Sequence, residues 1–232
     1  MFNDLGDELW RASLPEAAFC VNNSGNGKVV VAGLGDGTIR WYRVSDGQEL
    51  LAFFSPNDNT GRWILWTPSG YYDASTGAED LIGWQVNNGR DAAADFFPNH
   101  LFQTHFYRPD IIVRILQTAD EAQAIKFANE KLGRKSELLT VAKILPPVVQ
   151  IDSPKVKEIS SSTVTLSYRV RSYSGEPLTN MRVYIDGKEI RLERPKLAIG
   201  SSSLTLQVPK KDSKVTLIAE NRFTKSSPAA IK

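Results

Sequence analysis

Cys20, His100 and His105 are the residues with which this chain could carry out cysteine-dependent hydrolysis. They are the single cysteine and the two histidines of the sequence. Such hydrolysis needs a thiolate that a neighbouring histidine activates. Cys20 stands in the apolar sequence AAFCVNN, which is typical of a small buried side chain. Histidines five residues apart do not share a helical face. The pattern predicts neither a Cys–His dyad nor, without HExxH-like spacing, a metal site.

Asp73, Glu79 and Asp80 are carboxylates whose spacing raises the possibility of glycosidase chemistry. Glycosidases hold two carboxylates a fixed distance apart across a cleft. Acids that lie in one loop do not establish such a distance, and we expect Asp73 to accept hydrogen bonds from turn amides. The sequence therefore predicts no catalytic residue, no cofactor and a protein that is not an enzyme.

Aromatic residues are concentrated in the sequence RWILWTPSGYYDASTGAEDLIGWQV. Rings at these positions could stack on sugars, or they could pack between β-elements. They fall mainly on predicted strands beside small residues, so packing is favoured. We take the following rings as structural or interaction candidates: Trp63, Trp66, Tyr71, Tyr72 and Trp84.

The strands that must position these residues are indicated by β-branched and aromatic runs between turn sequences. Gly35-Asp36-Gly37 and Asp46-Gly47 supply two tight turns, which predict a three-stranded antiparallel meander. Three further strands follow along the chain. The predicted strands of this half are 29–33, 38–44, 48–54, 63–67, 71–74 and 81–86.

Helical patterns occupy the middle of the chain. Pro98 and Pro109 are placed where helices begin. The clearest helix starts with a capping-box spacing at Thr118 and Glu121 and ends at Gly133. Its predicted buried stripe is Ala122, Ile125 and Leu132. Residues 138–149 then predict an extended connector, with a domain boundary at Pro146-Pro147.

The last third of the chain predicts strands alone, each with one apolar face. Val164, Leu166, Tyr168 and Val170 alternate with polar residues, and Asp186-Gly187 marks a hairpin. About six or seven short strands of this kind predict a two-sheet sandwich of immunoglobulin or fibronectin type. The fold class is therefore mainly β, with a helical connector.

Residues 27–54 resemble a WD40 propeller blade. GDGTIRWY stands where that family has an Asp-Gly-Thr-Ile turn and a Trp-containing strand end, and SDGQELLAFF resembles the exit strand. The resemblance implies that Asp36 accepts backbone amides in the turn and that Trp41 packs between blades.

A larger resemblance extends over nearly the whole chain. The blade, RWILWTPSGYYDAS, LIGWQVNNG and ADFFPNHLFQTHFYRPD, followed by an Ig-like module, resemble part of bacterial proteins that join a WD40 propeller to a caspase-like (peptidase C14, metacaspase-like) domain. This implies three regions: residues 1–90, a WD40-like blade with a partial second blade; residues 91–145, the helical connector; and residues 146–232, the Ig-like β-sandwich.

Composition limits the partners. The net charge of +2 and the lack of a basic stripe argue against nucleic acid. No segment approaches the roughly 20 apolar residues of a membrane span. The N-terminus lacks the pattern of a secretory signal, so we expect a cytoplasmic protein.

We therefore expect a non-catalytic protein-interaction scaffold. The resemblance implies that its partners are the remaining propeller blades or a caspase-like protease that it positions or regulates. Open strand edges predict self-association. The sequence leaves two alternatives open: a hydrolase, either a degenerate cysteine peptidase or a carbohydrate-active module, and a carbohydrate-binding module.

Overall fold

A computed structural model describes residues 1–2, 4–90, 92–133, 139–152, 162–192 and 197–232 of the chain. These residues form two compact units, Met1–Leu138 and Leu139–Lys232. The chain is mainly β, with a few short helices. Residues 139–145, which the sequence assigned to the connector, lie in the second unit. There, Asn221 Nδ2 donates to the carbonyl of Leu145 and Thr224 Oγ1 donates to that of Ile144, at 3.1 and 3.2 Å.

The first unit is built on one antiparallel sheet of six strands in sequence order. Five of these strands match predicted ones, but β5 and β6 pair with β4 and extend the same sheet. The strands that the sequence assigned to a blade and a partial second blade thus lie in one sheet. The strands are β1 (Ala18–Asn23), β2 (Val29–Leu34), β3 (Ile39–Arg43), β4 (Glu49–Phe54), β5 (Ile64–Trp66) and β6 (Tyr72–Ala74).

Strand β1 was not predicted, and it changes the environment of Cys20. All six residues of β1 are exposed, because the strand lies at the edge of the sheet. Cys20 pairs with Gly33 and is itself exposed. The expectation that Cys20 is a buried side chain is therefore wrong. Apolar neighbours in the sequence do not bury a residue on a strand that no other element covers.

A two-stranded sheet and three helices complete the first unit. The strand predicted at 81–86 is shorter, since residues Glu79–Leu81 form a 3-10 turn. The helix predicted at Pro98 begins as a 3-10 turn, Asn99–Phe102, because Pro98 still belongs to a strand. No helix among the described residues is long and apolar enough to cross a membrane. The elements are β7 (Gly83–Val86), β8 (Asp95–Pro98), α1 (Gln103–Phe106), α2 (Pro109–Thr118) and α3 (Glu121–Lys131).

Helix α3 differs from its prediction at the cap and in its buried face. Asp120, not Thr118, is the N-cap, and its Oδ1 accepts from the amide of Gln123 at 2.9 Å. The Thr118 hydroxyl instead donates to the carbonyl of Arg114 at the end of α2. Of the predicted buried stripe, Ala122 is exposed, and Leu132 is the C-cap residue and is 52% exposed. The buried residues of α3 are Ala124, Ile125, Ala128 and Asn129.

Arg108 joins the helices to the end of the sheet. Its backbone amide donates to the carbonyl of Tyr72 in β6 at 2.9 Å. Its buried guanidinium binds both carboxylate oxygens of Asp110 and donates to Asn129 Oδ1, each at 2.8 to 2.9 Å. A bidentate contact of this kind fixes orientation as well as charge. The chain at Tyr107 and Arg108 therefore covers the β6 edge.

The second unit contains a short helix and two sheets. Helix α4 (Val141–Ile144) replaces part of the expected extended connector, of which residue 138 lies outside the described residues. The sheets have the orders β13-β10-β9 and β12-β11-β14-β15. The strands are β9 (Val148–Ile151), β10 (Thr163–Arg171), β11 (Asn180–Ile185), β12 (Lys188–Ile190), β13 (Gly200–Gln207), β14 (Val215–Glu220) and β15 (Ala229–Ile231).

The alternation read from the sequence produces the core of this unit. Val164, Leu166, Tyr168 and Val170 of β10 are buried, and the residues between them are exposed. They share one hydrophobic core with residues of the other sheet, such as Val183 and Leu217. The expected hairpin is confirmed: Asp186 and Gly187 take φ of 50° and 82° between β11 and β12. Positive φ at both positions suits a two-residue hairpin turn.

We expect Leu166→Ala to destabilise the second unit by about 2–5 kcal/mol, because removing a buried leucine leaves a cavity. Leu166 is 1% exposed. The matched control is Leu197→Ala in the same unit, where the leucine is 42% exposed and a change within about 0.5 kcal/mol is expected. Urea unfolding followed by far-UV circular dichroism measures both. Equal effects of the two substitutions would contradict the described core.

Candidate functional site

An open cavity of about 500 Å³ lies in the first unit, against the sheet and the β7–β8 hairpin. Its volume falls in the range of roughly 300–1,000 Å³ that is usual for small-molecule sites. The wall combines aromatic rings with a few polar side chains. The residues that matter below are Arg40, Glu49, Trp66, Trp84, Phe96 and Asn99.

The register of the sheet brings Arg40 to Trp66. Arg40 pairs with Ala52, and Ala52 pairs with Trp66, so the three side chains lie in one row on one face. Ala52 is small and fully buried. The Arg40 guanidinium consequently lies over the Trp66 ring, 5.9 Å from its centroid, which is a cation–π distance.

Glu49 holds the Arg40 guanidinium in place. Arg40 Nη1 donates to both carboxylate oxygens of Glu49, at 2.9 and 3.0 Å, and Arg40 Nε donates to Thr38 Oγ1 at 3.1 Å. Both charged side chains are largely shielded, with exposed fractions of 16% and 24%. Arg40 and Glu49 carry opposite charges that cancel, and Asp36, whose Oδ2 lies 3.9 Å from Arg40 Nη2, adds a second carboxylate to this cluster.

The opposite wall depends on a glycine. Gly83 of β7 has no side chain, and the ring of Phe96 from β8 lies over it. A Cβ at residue 83 would come within 2.3 Å of Phe96 Cζ and 2.6 Å of the carbonyl oxygen of Phe97. Glycine in a strand often marks such a close approach. Phe96 remains 57% exposed, so it is a surface ring held in a defined place.

Asn99 adds an unused hydrogen-bond donor. It is 1% exposed, and its backbone amide donates to the carbonyl of Ile82 at 3.1 Å. Its side-chain Nδ2 is buried and has no hydrogen-bond partner among the described residues. A buried donor left unpaired costs about 1–3 kcal/mol. This is the polar group of the cavity that most needs a partner.

Asp36 lies beside the Arg40 cluster, in the turn before β3. Its Oδ1 accepts from the amide and hydroxyl of Thr38, at 2.9 and 2.6 Å, as the WD40 resemblance implies. Partial burial acts to raise its pKa, but the Thr38 hydrogen bonds and the nearby Arg40 together lower the pKa of Asp36 below its ordinary value. Trp41 is half-buried on β3, between Val31 and Leu51 on the neighbouring strands.

The aromatic candidates divide into two groups. Tyr71 and Tyr72 are buried and contact the rings of Phe106 and Tyr107, with centroids 5.1 and 5.5 Å apart. Burial, followed by the charge of Glu79, raises the pKa of Tyr72. These two tyrosines join the sheet to the region of α1, as packing residues do.

The tryptophans are not core residues. Trp63, Trp66 and Trp84 are each half-buried. The Trp63 amide donates to Ser75 Oγ at 2.9 Å, while Trp66 and Trp84 line the cavity. Trp66 and Trp84 therefore have part of their surface in packing and part at a cavity that is open to solvent.

The residues considered for catalysis include His100, Asp80 and Asp73, whose surroundings the structure describes. His100 Nδ1 is paired with Asp80 on the surface. Asp73 lies on β6 opposite Leu65, not in a loop, and burial raises the pKa of its carboxyl. Among the described residues, no group of three His, Cys, Asp or Glu side chains could hold a metal ion.

Sequence reasoning missed Arg40, Glu49, Phe96 and Asn99. The signal for Arg40 is the register of three successive strands, in which residue 40 pairs with residue 52 and residue 52 pairs with residue 66. The approach of Phe96 and Asn99 depends on how the β7–β8 hairpin folds against the sheet. No periodicity in the sequence reports that contact.

Comparison with solved structures finds a similarity to part of this chain. No protein-family model matches the chain, and no curated protein matches it. The solved structure described as "Structures of Clostridium thermocellum CbhA fibronectin(III)-like modules" is similar, at 14% sequence identity and a TM-score of 0.31. The similarity covers 38% of this chain and 45% of that chain, which is less than half of each.

We expect the first unit to lose stability in alkali through Tyr42. Burial, followed by the charge of Glu49, raises the pKa of Tyr42 to about 12 from 10.0. The folded unit thus holds this proton more tightly than the unfolded chain. The resulting stability is complete below pH 10 and is lost as the pH rises through 12, by up to about 2 kcal/mol.

Tyr42→Phe removes this contribution, so its urea midpoint should fall less than that of the unchanged protein between pH 9 and pH 11.5. All five tryptophans lie in the first unit, so tryptophan fluorescence reports its unfolding. Tyr184→Phe, in the second unit, is the control and should behave like the unchanged protein. The same alkaline loss in Tyr42→Phe as in the unchanged protein would disprove the role of Tyr42.

Proposed function

We propose that the first unit is a non-catalytic protein-interaction module that binds a β-strand of a partner protein along β1. The observation that carries this proposal is that strand β1 is entirely exposed at one edge of the sheet. An uncovered edge presents main-chain donors and acceptors to any extended chain, and strand addition is a common mode of protein recognition.

The two edge strands of the sheet differ in whether another part of the chain covers them. At β6, Tyr72 forms a parallel bridge with Tyr107, and its carbonyl accepts from the amide of Arg108. At β1, no described strand pairs with the outer side. A partner strand can therefore add to the sheet at β1 and not at β6.

The composition of β1 also suits strand addition. Its sequence AFCVNN contains no charge and no proline, which are the usual protections of an edge strand. Phe19 and Val21 are 80% and 63% exposed. Apolar side chains of a partner strand would gain burial against them.

The occupant we propose is a β-rich partner domain. The resemblance to WD40/caspase-like proteins suggests the remaining propeller blades, in an assembly that positions or regulates a caspase-like protease. A further strand on β1 would continue the antiparallel meander of the sheet. This partner supplies what β1 lacks: main-chain groups in extended conformation and apolar side chains.

In the absence of that partner, we expect the β1 edges of two molecules to pair. The weight-average mass in sedimentation velocity should rise above 25.8 kDa with concentration. Hydrogen exchange at the amides of β1 should slow over the same range, because those amides become hydrogen-bonded.

Val21→Lys should abolish the rise in mass, because a lysine at an open edge opposes pairing. Val113→Lys on α2 is the matched control, since Val113 is 62% exposed and Val21 is 63% exposed. The control should associate like the unchanged protein. A compact monomer at every concentration, or equal loss in both variants, would overturn the proposal.

A further inference from the structure

We infer that the cavity lined by Trp66, Trp84 and Phe96 binds a neutral sugar. This site is separate from β1, and the inference does not depend on strand addition. It follows from three properties of the wall: its flat apolar surfaces, its paired charges and its unused donor.

The apolar surfaces suit a ring with a flat C–H face. Trp66, Trp84 and Phe96 come from three different strands, β5, β7 and β8. Large aromatic rings at a half-open surface offer apolar contact area at little cost in side-chain entropy. A pyranose ring carries C–H bonds on its faces and hydroxyl groups around its rim. Its faces can pack on the indole and phenyl rings while its hydroxyls stay in reach of polar groups.

The charges favour a neutral ligand over an anionic one. Arg40 is bound to Glu49 at 2.9 Å and lies 3.9 Å from Asp36, so its charge is already matched and an anionic ligand would be repelled by the two carboxylates. A hydroxyl group can accept from a guanidinium and donate to a carboxylate, because it has one donor and two acceptor sites. The pair therefore offers complementary contacts to neighbouring hydroxyls without an exchange of ion pairs.

Asn99 excludes a purely apolar ligand. Its Nδ2 lacks a partner in the part of the chain that the structure describes, and an apolar occupant would leave it unpaired. A sugar oxygen accepts from such a donor. The amide is buried, so we expect the ligand to reach it after a small adjustment of the Asn99 side chain. A polyhydroxylated ring is the ligand class that satisfies the apolar walls, the ion pair and this donor together.

The test uses neutral trisaccharides as probes. Cellotriose, maltotriose and chitotriose are titrated at millimolar concentrations against the full chain. Tryptophan fluorescence and saturation transfer from protein to sugar protons are followed. We expect at least one of these sugars to bind and trigalacturonate, which is charged, to bind more weakly.

Phe96→Ala locates the site, because Phe96 is exposed and its removal should leave the fold intact. It should weaken binding about fivefold, which is typical of a lost aromatic contact. The matched control is Phe127→Ala on α3, where the ring is 49% exposed and a change within about twofold is expected. Gly83→Ala should weaken binding in the same direction as Phe96→Ala, since the added Cβ displaces the Phe96 ring.

Val21→Lys separates this inference from strand addition, because it should leave sugar binding unchanged. Three results would overturn the inference. The first is no binding of any neutral trisaccharide. The second is undiminished binding by Phe96→Ala. The third is tighter binding of trigalacturonate than of the neutral sugars.

Discussion

The first unit depends on one constraint, which is the main-chain hydrogen bonding at the two edge strands of its six-stranded sheet. Every strand between β1 and β6 has a hydrogen-bonded strand on each side. At β6 the chain itself returns, and Arg108 donates to the carbonyl of Tyr72. The buried guanidinium of Arg108 holds Asp110 and Asn129, so the same residue secures the helices. Strand β1 has no such cover, and an open edge in water is a site for another strand.

The same sheet places its polar residues in a defined order. Arg40, Ala52 and Trp66 form one row because each is the cross-strand partner of the next. Glu49 forms an ion pair with Arg40, and Trp84 and Phe96 of the β7–β8 hairpin line the same cavity. The cavity is thus a consequence of register on one side and of the absence of a side chain at Gly83 on the other. The edge and the cavity are separate surfaces with different chemistry: main-chain groups at β1, and rings with a neutral ion pair in the cavity.

Prediction from the sequence succeeded where one local pattern decides the outcome. The alternation from Val164 to Val170 places one face in the core because a strand has a period of two. The Asp186-Gly187 hairpin follows from the two residues that must take positive φ. Prediction failed at Cys20 and at the cap of α3. Cys20 has apolar neighbours in the sequence, but no described element covers its strand. Thr118 and Asp120 are both residue types that cap helices, and the change of chain direction after α2 makes Asp120 the N-cap.

By itself, the sequence determined a mainly β chain with a central group of helices and most of its strands and turns, because these depend on residues close together in the chain. The tertiary structure alone decided which surfaces are left for function. It covered β6 and left β1 open, and it buried Tyr71 and Tyr72 while turning Trp66 and Trp84 toward a cavity. The physical reason is that burial and hydrogen-bond pairing are set by elements distant in sequence. A tryptophan on a strand has the same local pattern whether a core or solvent lies beyond it.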